Sequence, residues 1–600
     1  MQRTYLLILL LVVCSATPMQ VQPQGSNPDS DRNPQESQER MDLLWGVKIP
    51  MRDGVHLNAT IYRPHDAGNP LPVLFELTPY PSAPWDDLPF YFARHGYVFV
   101  VVDSRGRGNS EGTFKPFFQE PQDGYDTVEW LAKQPWSNGK IGMWGGSYFG
   151  FDQWMTLREG APHLATIVPA AAAHAGVDFP MFHNIAYPYV IQWLTFTSGV
   201  TGNNSLFFES PFWIDKFTTM YRQHLAYRNL DRIAGNTTTV FQEWLQHPTV
   251  DAYWERLEIS ADQYKQMRIP ILTITGSYDG DQTGALTYYK AHMRYGTAEA
   301  KAQHFLVIGP WDHFGSVWKT KKEVGGLTFG DASLLDLNKL HTDWYDWTLK
   351  NGKKPEFLKR RVAYYVMAAD QWKYADTLES ISNSTRTLYL NSEHGHANDV
   401  TDSGLLADAK PMASEPDHFT YDPLDTRPAE MEQEDIKNDL TDQRYALNLF
   451  GNGVVYHTEP FAKDTEISGF VKFTAWIAMD VPDTDFSVTL YEILLDGSSV
   501  QLTSDLLRAR YRNSLSNEQL VKPGEIIPYV FDGFTFFSRR IAKGSRLRLV
   551  LSCPNSINFE KNYNSGGVVA EETAKDAKTA HIIVYHDAAR PSRLELPLAQ

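Results

Sequence analysis

From about residue 42 to residue 173, short β-branched or apolar runs alternate with helical ones: 73–77, 97–103, a helix over 123–134, then 141–144. The helix puts Tyr125, Val128, Leu131 and Ala132 on one face and is stopped by Pro135, so it has a core side and a solvent side. This alternation predicts a parallel sheet covered by helices. Between about 175 and 266 the rhythm lengthens and aromatic residues crowd in, among them Phe179, Tyr187, Trp193, Phe207 and Trp213. That pattern predicts an inserted, mainly helical unit. Strand and helix alternate again at 271–275 and 304–308, and a helix with Leu337, Leu340, Trp344 and Trp347 in register closes the split α/β domain. After about residue 359 the pattern is β throughout. Leu547, Leu549 and Leu551 alternate with Arg546 and Arg548, and Asp496-Gly497 marks a hairpin between two runs. Many short strands with intervening turns favour a sandwich or jelly roll. The polar stretch 426–443 reads as a long solvated loop.

A chain of 600 residues exceeds what one core can organise, in line with these three regions. Lys and Arg number 55 against 72 Asp and Glu, a net charge of −17 that disfavours nucleic acid or an anionic membrane as the main partner. Two cysteines rule out a disulfide framework, and Cys553 reads as a buried strand residue. Arg3, the apolar run 5–13 and the small residues Ser15 and Ala16 have the layout of a secretory signal, too short to span a bilayer, and a Pro-, Gln- and Ser-rich spacer follows. The expectation is an exported protein, periplasmic or secreted. Val13 stands where lipoprotein processing at Cys14 wants a small residue, which argues against a lipid anchor.

The stretch 141–150, IGMWGGSYFG, runs an apolar strand into a glycine-rich turn and then a helical segment. A serine there, Ser147, suits a nucleophile on a strand-to-helix elbow. The match to G-x-S-x-G is incomplete, because Phe149 takes the later glycine position and Gly150 comes one residue further on. Asp279 lies just beyond the strand 271–275 and His313 just beyond 304–308. The order Ser, Asp, His is that of α/β-hydrolases, and each residue sits at the carboxyl end of a strand, where doubly wound sheets gather their active sites. Asp281 and Asp312 are rival acids, but Asp312 adjoins His313 and is poorly placed to orient its ring. No Cys/His spacing suggests zinc and no phosphate loop is present, so no cofactor or metal is expected.

At these residues the chain resembles the cocaine-esterase-like (CocE/NonD) serine hydrolases, relatives of the α-amino acid ester hydrolases and Xaa-Pro dipeptidyl-peptidases. The resemblance extends to Pro50-Met51-Arg52-Asp53-Gly54, the loop 103–112 (DSRGRGNSEG), Gln134-Pro135-Trp136, Gly309-Pro310-Trp311 and the C-terminal Arg590-Pro591-Ser592-Arg593. That family's nucleophile motif is G-x-S-Y-x-G, which accounts for Phe149. The resemblance implies an α/β-hydrolase core with an inserted helical cap and a C-terminal jelly roll. On this reading 1–16 is the signal peptide and 17–40 a disordered spacer. The core comprises 41–174 and 267–355, the cap 175–266 and the jelly-roll β-sandwich 356–600. It also implies Ser147 as nucleophile, His313 as base and acid, and Asp279 as the group orienting the imidazole. The oxyanion hole would comprise the Tyr80 hydroxyl and the Tyr148 amide. Asp281, with Asp178 a looser candidate, stands where amino-ester hydrolases hold a substrate ammonium, although Gln282 replaces a neighbouring carboxylate. The expected reaction is hydrolysis of small-molecule esters or activated amides, with amino-ester, β-lactam or Xaa-Pro substrates as alternatives. A carbohydrate-binding or adhesive role for the β domain is the non-enzymatic alternative. Homo-oligomerisation is left open.

Overall fold

The computed structural model describes residues 41–65, 67–80, 87–412, 414–432 and 439–599. The expected signal peptide, spacer and Cys14 fall outside them. Six strands, β1 (Met41–Pro50), β2 (His56–Pro64), β3 (Leu71–Thr78), β4 (Val98–Asp103), β5 (Ser137–Ser147) and β6 (Leu164–Ala172), assemble in the order β1-β2-β4-β3-β5-β6. The sheet continues through Ile271–Gly276, His304–Gly309, Val362–Val366 and Gln371–Ala375. From β4 to Val362–Val366 every neighbouring pair is parallel, and the outer pairs are antiparallel.

The continuous apolar runs of the inner strands follow from burial on both faces. In β3, Val73, Phe75 and Leu77 pack with Val128 and Leu131 of α2 (Glu120–Ala132) and Trp154 of α3 (Tyr148–Arg158). Leu74 faces the other way, into a cluster with Phe92 of α1 (Asp87–Arg94) and Leu340 and Trp344 of the helix Leu337–Lys350. Helix α2 begins three residues before the expected position because Pro121 occupies its first turn, where a missing N–H costs nothing.

Residues 175–266 form a small hairpin, Met181–Phe182 with Ile185–Ala186, followed by helices from Tyr189–Phe196 to Ala261–Gln266. Their aromatic residues supply a buried layer in which Trp193, Trp213, Trp244 and Trp254 join the core beneath α3. One part of the chain expected in the β-sandwich belongs elsewhere: Val362–Val366 pairs in parallel with His304–Gly309, and Gln371–Ala375 then pairs back on it. This last pair is a hairpin with no crossover helix, so the α/β rhythm ends before the sheet does. From Ser384 onward the strands build a thirteen-stranded β structure. Leu547, Leu549 and Leu551 are fully buried there. Arg546 points outward, whereas Arg548 is covered and donates to His457 Nε2 at 2.7 Å and to the Ala446 carbonyl at 2.9 Å. Cys553 is buried one residue past the strand Arg546–Ser552. The stretch expected to be a solvated loop is partly packed, since the Glu432 carboxylate accepts from the Ile557 N–H and the Ser556 hydroxyl, each at 2.7 Å; residues 433–438 lie outside those described.

Candidate active site

Strand β5 delivers Ser147 at the sheet's carboxyl edge and passes directly into α3. Ser147 has φ +60° and ψ −126°, a sparsely populated conformation for a residue with a side chain. The turn is held from behind. Gln153 donates to the Gly145 carbonyl at 2.8 Å and accepts from Val168 N–H at 2.8 Å, and the Tyr345 hydroxyl donates to the Met143 carbonyl at 2.7 Å. Two glycines make the elbow feasible. Gly145 sits at φ +132°, where a Cβ would also lie 2.5 Å from Phe149 Cβ. A Cβ on Gly150 would lie 2.8 Å from Ala172 Cα, so the second close approach, of α3 to β6, falls at 150. Position 149 can therefore carry a buried phenylalanine, whose ring packs 5.3 Å from that of Tyr80.

The strand Ile271–Gly276 ends beside Asp279, and His304–Gly309 ends beside His313. The Asp279 side chain is wholly buried and its Oδ1 lies 2.9 Å from His313 Nδ1. The same oxygen accepts from the Asp281 N–H at 3.0 Å. Asp281 Oδ2 stands 3.8 Å from His313 Nδ1. Burial pulls the His313 imidazole down, but the Asp279 and Asp281 charges outweigh it and raise its pKa to about 9. Asp312 does other work: its Oδ1 accepts from the Gly315 N–H at 2.7 Å and caps the helix His313–Val317.

Ser147, His313, Asp281 and Asp178 line one cavity of about 670 Å³, and Tyr148 joins them on its wall. The cap contributes an aromatic lining that includes Phe179, Tyr187, Tyr189 and Trp193, and the C-terminal domain adds Asn558 and Phe559. The Tyr148 amide occupies the first turn of α3, where an N–H has no intrahelical acceptor and the helix dipole favours negative charge. On its other side the Tyr148 hydroxyl donates to Glu120 Oε1 at 2.5 Å and accepts from the Phe117 N–H at 2.8 Å, so the residue is pinned at both ends. Burial lifts Glu120 to about 7.

Tyr80 follows β3 and lies against the elbow, stacked on Phe196 at 4.9 Å. Its hydroxyl accepts from Trp193 Nε1 at 2.8 Å, which leaves its own proton to donate. Desolvation holds this phenol well above its ordinary pKa, the Trp193 bond offsetting only part of the effect. Arg107 from the glycine-rich loop is buried here. It donates to the Pro79 carbonyl at 2.7 Å and to the cap carbonyls of Gly199 and Phe196, fixing the Tyr80 segment to the cap. The 103–112 motif contained this residue, but nothing in its spacing disclosed what the guanidinium would hold.

The two acids named for an ammonium are brought together and then differ. Asp281 is raised to about 6 by burial, with His313 pulling it back and Asp279 adding to the rise. Asp178 accepts from the His174 N–H at 2.8 Å and the Gly284 N–H at 2.5 Å; burial followed by the Asp281 charge raises its pKa well above the ordinary range, and the two N–H bonds offset only part of the rise. Gln282 is turned away from the cavity: it donates to the carbonyls of Gly276 and Phe536 and accepts from the Phe536 N–H at 2.6 Å, locking the core to the C-terminal domain.

Residues 53–315 match the X-Pro dipeptidyl-peptidase (S15) family, and residues 357–595 match the X-Pro dipeptidyl-peptidase C-terminal non-catalytic domain. A cocaine esterase of Rhodococcus sp. is 26% identical over 576 residues, spanning 92% of this chain and 98% of the relative. Two solved structures share the fold. An aminopeptidase from a marine sediment Thaumarchaeota archaeon superposes with a TM-score of 0.80 at 21% identity, covering 96% of this chain and 99% of its own. An α-amino acid ester hydrolase gives 0.79 at 20% identity, covering 97% and 100%.

Proposed function

The chain belongs to the CocE/NonD serine hydrolases, with the S15 region and its C-terminal partner domain on one polypeptide, and on that premise we propose that it cleaves small-molecule carboxylic esters, or activated amides, through an acyl-enzyme formed on Ser147. The observation that carries this reading is a strained serine on a strand-to-helix elbow sharing a cavity with a histidine whose other nitrogen is tied to a buried carboxylate. With Nδ1 committed to Asp279, Nε2 is the nitrogen left to take the Ser147 proton as Oγ attacks the ester carbonyl. The oxyanion then accepts from the Tyr148 amide and the Tyr80 hydroxyl. Collapse of this intermediate expels the alcohol, which takes the proton from Nε2. Water, deprotonated by the same nitrogen, releases the acid. We also read the enzyme as exported, on the signal-like segment from Arg3 to Ala16.

Removing the Tyr80 hydroxyl tests the oxyanion assignment. Tyr80→Phe keeps the stack on Phe196 but loses one donor, so kcat is expected to fall by roughly 10²–10³-fold with KM little changed. A fall of less than threefold would assign Tyr80 to packing alone.

A second reading, amino-acyl esters or Xaa-Pro peptides, is favoured by Asp281 on the cavity wall beside Tyr187 and Tyr189. Its weakness lies in Asp178, whose two oxygens are each spent on a backbone amide, which leaves Asp281 alone of the two where a cluster is wanted. Kinetics with phenylacetyl and phenylglycyl esters and a Gly-Pro anilide decide between the readings. The expected result is cleavage of both esters with rates within a few-fold of each other, and a ratio that stays put in Asp281→Asn. A tenfold preference for the free amine, lost in that variant, would install the second reading instead.

A further inference from the structure

Two of the aromatic side chains that line the catalytic cavity stand largely in water. Phe208 of the cap is 59% exposed and Phe314 of the core 42%, whereas Phe117, Phe179 and Trp193 on the wall of the same cavity are buried. The two exposed rings therefore mark its mouth. They meet there with centroids 6.4 Å apart and planes at 44°. Each is backed by another ring: Phe314 stacks on Trp318 at 5.3 Å, and Phe208 meets Phe207 edge to face at 5.0 Å, which is itself stacked on Phe196 at 4.5 Å. Apolar rings held in water in this way gain by being covered.

Their place beside the histidine says what would cover them. Phe314 follows His313 in the chain, and the two ring centroids are 6.3 Å apart. When the acyl-enzyme forms, the imidazole hands its proton to the departing alkoxide oxygen, so the alcohol half of an ester lies on the histidine side of Ser147 while the carbonyl oxygen turns to the Tyr148 amide. The side chains next to the imidazole are the ones the leaving group passes. Among the described residues, neither lysine nor arginine lines the cavity, so no cation is placed there to pair with an anionic alcohol.

We propose that Phe208 and Phe314 form a leaving-group subsite that selects esters of uncharged aromatic alcohols, the alcohol's ring covering both exposed phenylalanines. The proposal rests on the ester-hydrolase reading above and names the alcohol half of its substrate. It leaves the acyl half to the buried part of the cavity.

The test compares kcat/KM within two pairs of esters. Benzyl and propyl butyrate share an acyl group and have alcohols of similar acidity, so their ratio reads contact with the leaving group. Methyl phenylacetate and methyl butyrate share a leaving group, so theirs reads contact with the acyl part. The wild-type enzyme is expected to favour benzyl over propyl by roughly fivefold or more. Phe314→Ala and Phe208→Ala should each lower that preference by roughly threefold or more and leave the acyl ratio within about twofold of its wild-type value. Both rings are exposed, so neither change opens the core, and leucine at the same position, which keeps apolar bulk without the aromatic face, replaces any alanine variant that does not fold. Melting temperature and fluorophosphonate labelling of Ser147 report folding and an intact elbow. An active wild-type enzyme with a benzyl preference below fivefold, a preference that falls less than threefold in either folded variant, or an acyl ratio that falls as much as the leaving-group ratio overturns this proposal alone. A wild-type enzyme that cleaves none of the four esters overturns the ester reading and this one with it.

Discussion

Ser147→Ala is expected to lower kcat by roughly 10⁴–10⁶-fold while leaving the fold intact. The hydroxyl makes no capping hydrogen bond, so its removal leaves no buried partner unsatisfied, and alanine tolerates φ +60° no worse than serine does. The melting temperature should stay within a few degrees. The small residual rate would come from the oxyanion donors and the cavity, which the substitution does not touch. A fluorophosphonate probe should mark Ser147 in the wild-type protein and nothing in the variant. A decoy makes the mapping informative. Ser414 Oγ lies 2.7 Å from His586 Nδ1, and His586 Nε2 lies 2.9 Å from Asp417 Oδ2, so the β domain holds a second Ser-His-Asp contact. There the ring is fully buried, Asp417 also accepts from the Tyr456 hydroxyl at 2.6 Å, and Ser414 is absent from the catalytic cavity. Retained turnover in Ser147→Ala, with the label on Ser414, would transfer the chemistry to that site and sink the Ser147 assignment.

The parts of the site that were legible in the sequence are those specified locally. A strand, a glycine turn and a helix are consecutive along the chain, and Asp279 and His313 each follow a strand with no long loop between, so their positions on one sheet edge could be read from order alone. Gly150 shows the limit of a motif: the spacing named the residue, but the reason, an approach of α3 to Ala172, belongs to a strand 14 residues further on. Contacts across greater separations left no local trace. Arg107 reaches Gly199 in the cap, Gln282 reaches Phe536, and Phe559 lines the same cavity as Ser147. The sheet's last hairpin was hidden because it lacks the helix that marks a parallel crossover. Charge state was equally out of reach. Asp178 and Asp281 are identical in the sequence, yet burial raises the first well above the ordinary range beneath two backbone amides and the second to about 6.

Asp279→Asn is the second large effect, a loss of about 10⁴-fold in kcat, or about 5.4 kcal/mol of barrier. The amide occupies the same volume, so the buried site need not collapse, but it can no longer stabilise the imidazolium that forms when His313 takes the Ser147 proton. It also ceases to impose the tautomer that presents a bare Nε2 to the serine. The pH profile carries an independent signature. His313 acts as a base only when neutral, and its raised pKa means that the neutral fraction grows as pH rises through about 9. Wild-type kcat/KM should therefore climb across the neutral range and level off near that value. Losing the Asp279 charge lowers the pKa, so the residual activity of Asp279→Asn should level off at a lower pH. The shift should be incomplete, because Asp281 remains 3.8 Å from the ring, and Asp279→Asn with Asp281→Asn should move the limb further down. A structural role for Asp279 would predict instability with an unmoved limb. Turnover within tenfold of wild type would remove the carboxylate from the mechanism, and a lowered kcat with the limb still near 9 would leave Asp281 as the charge that governs His313.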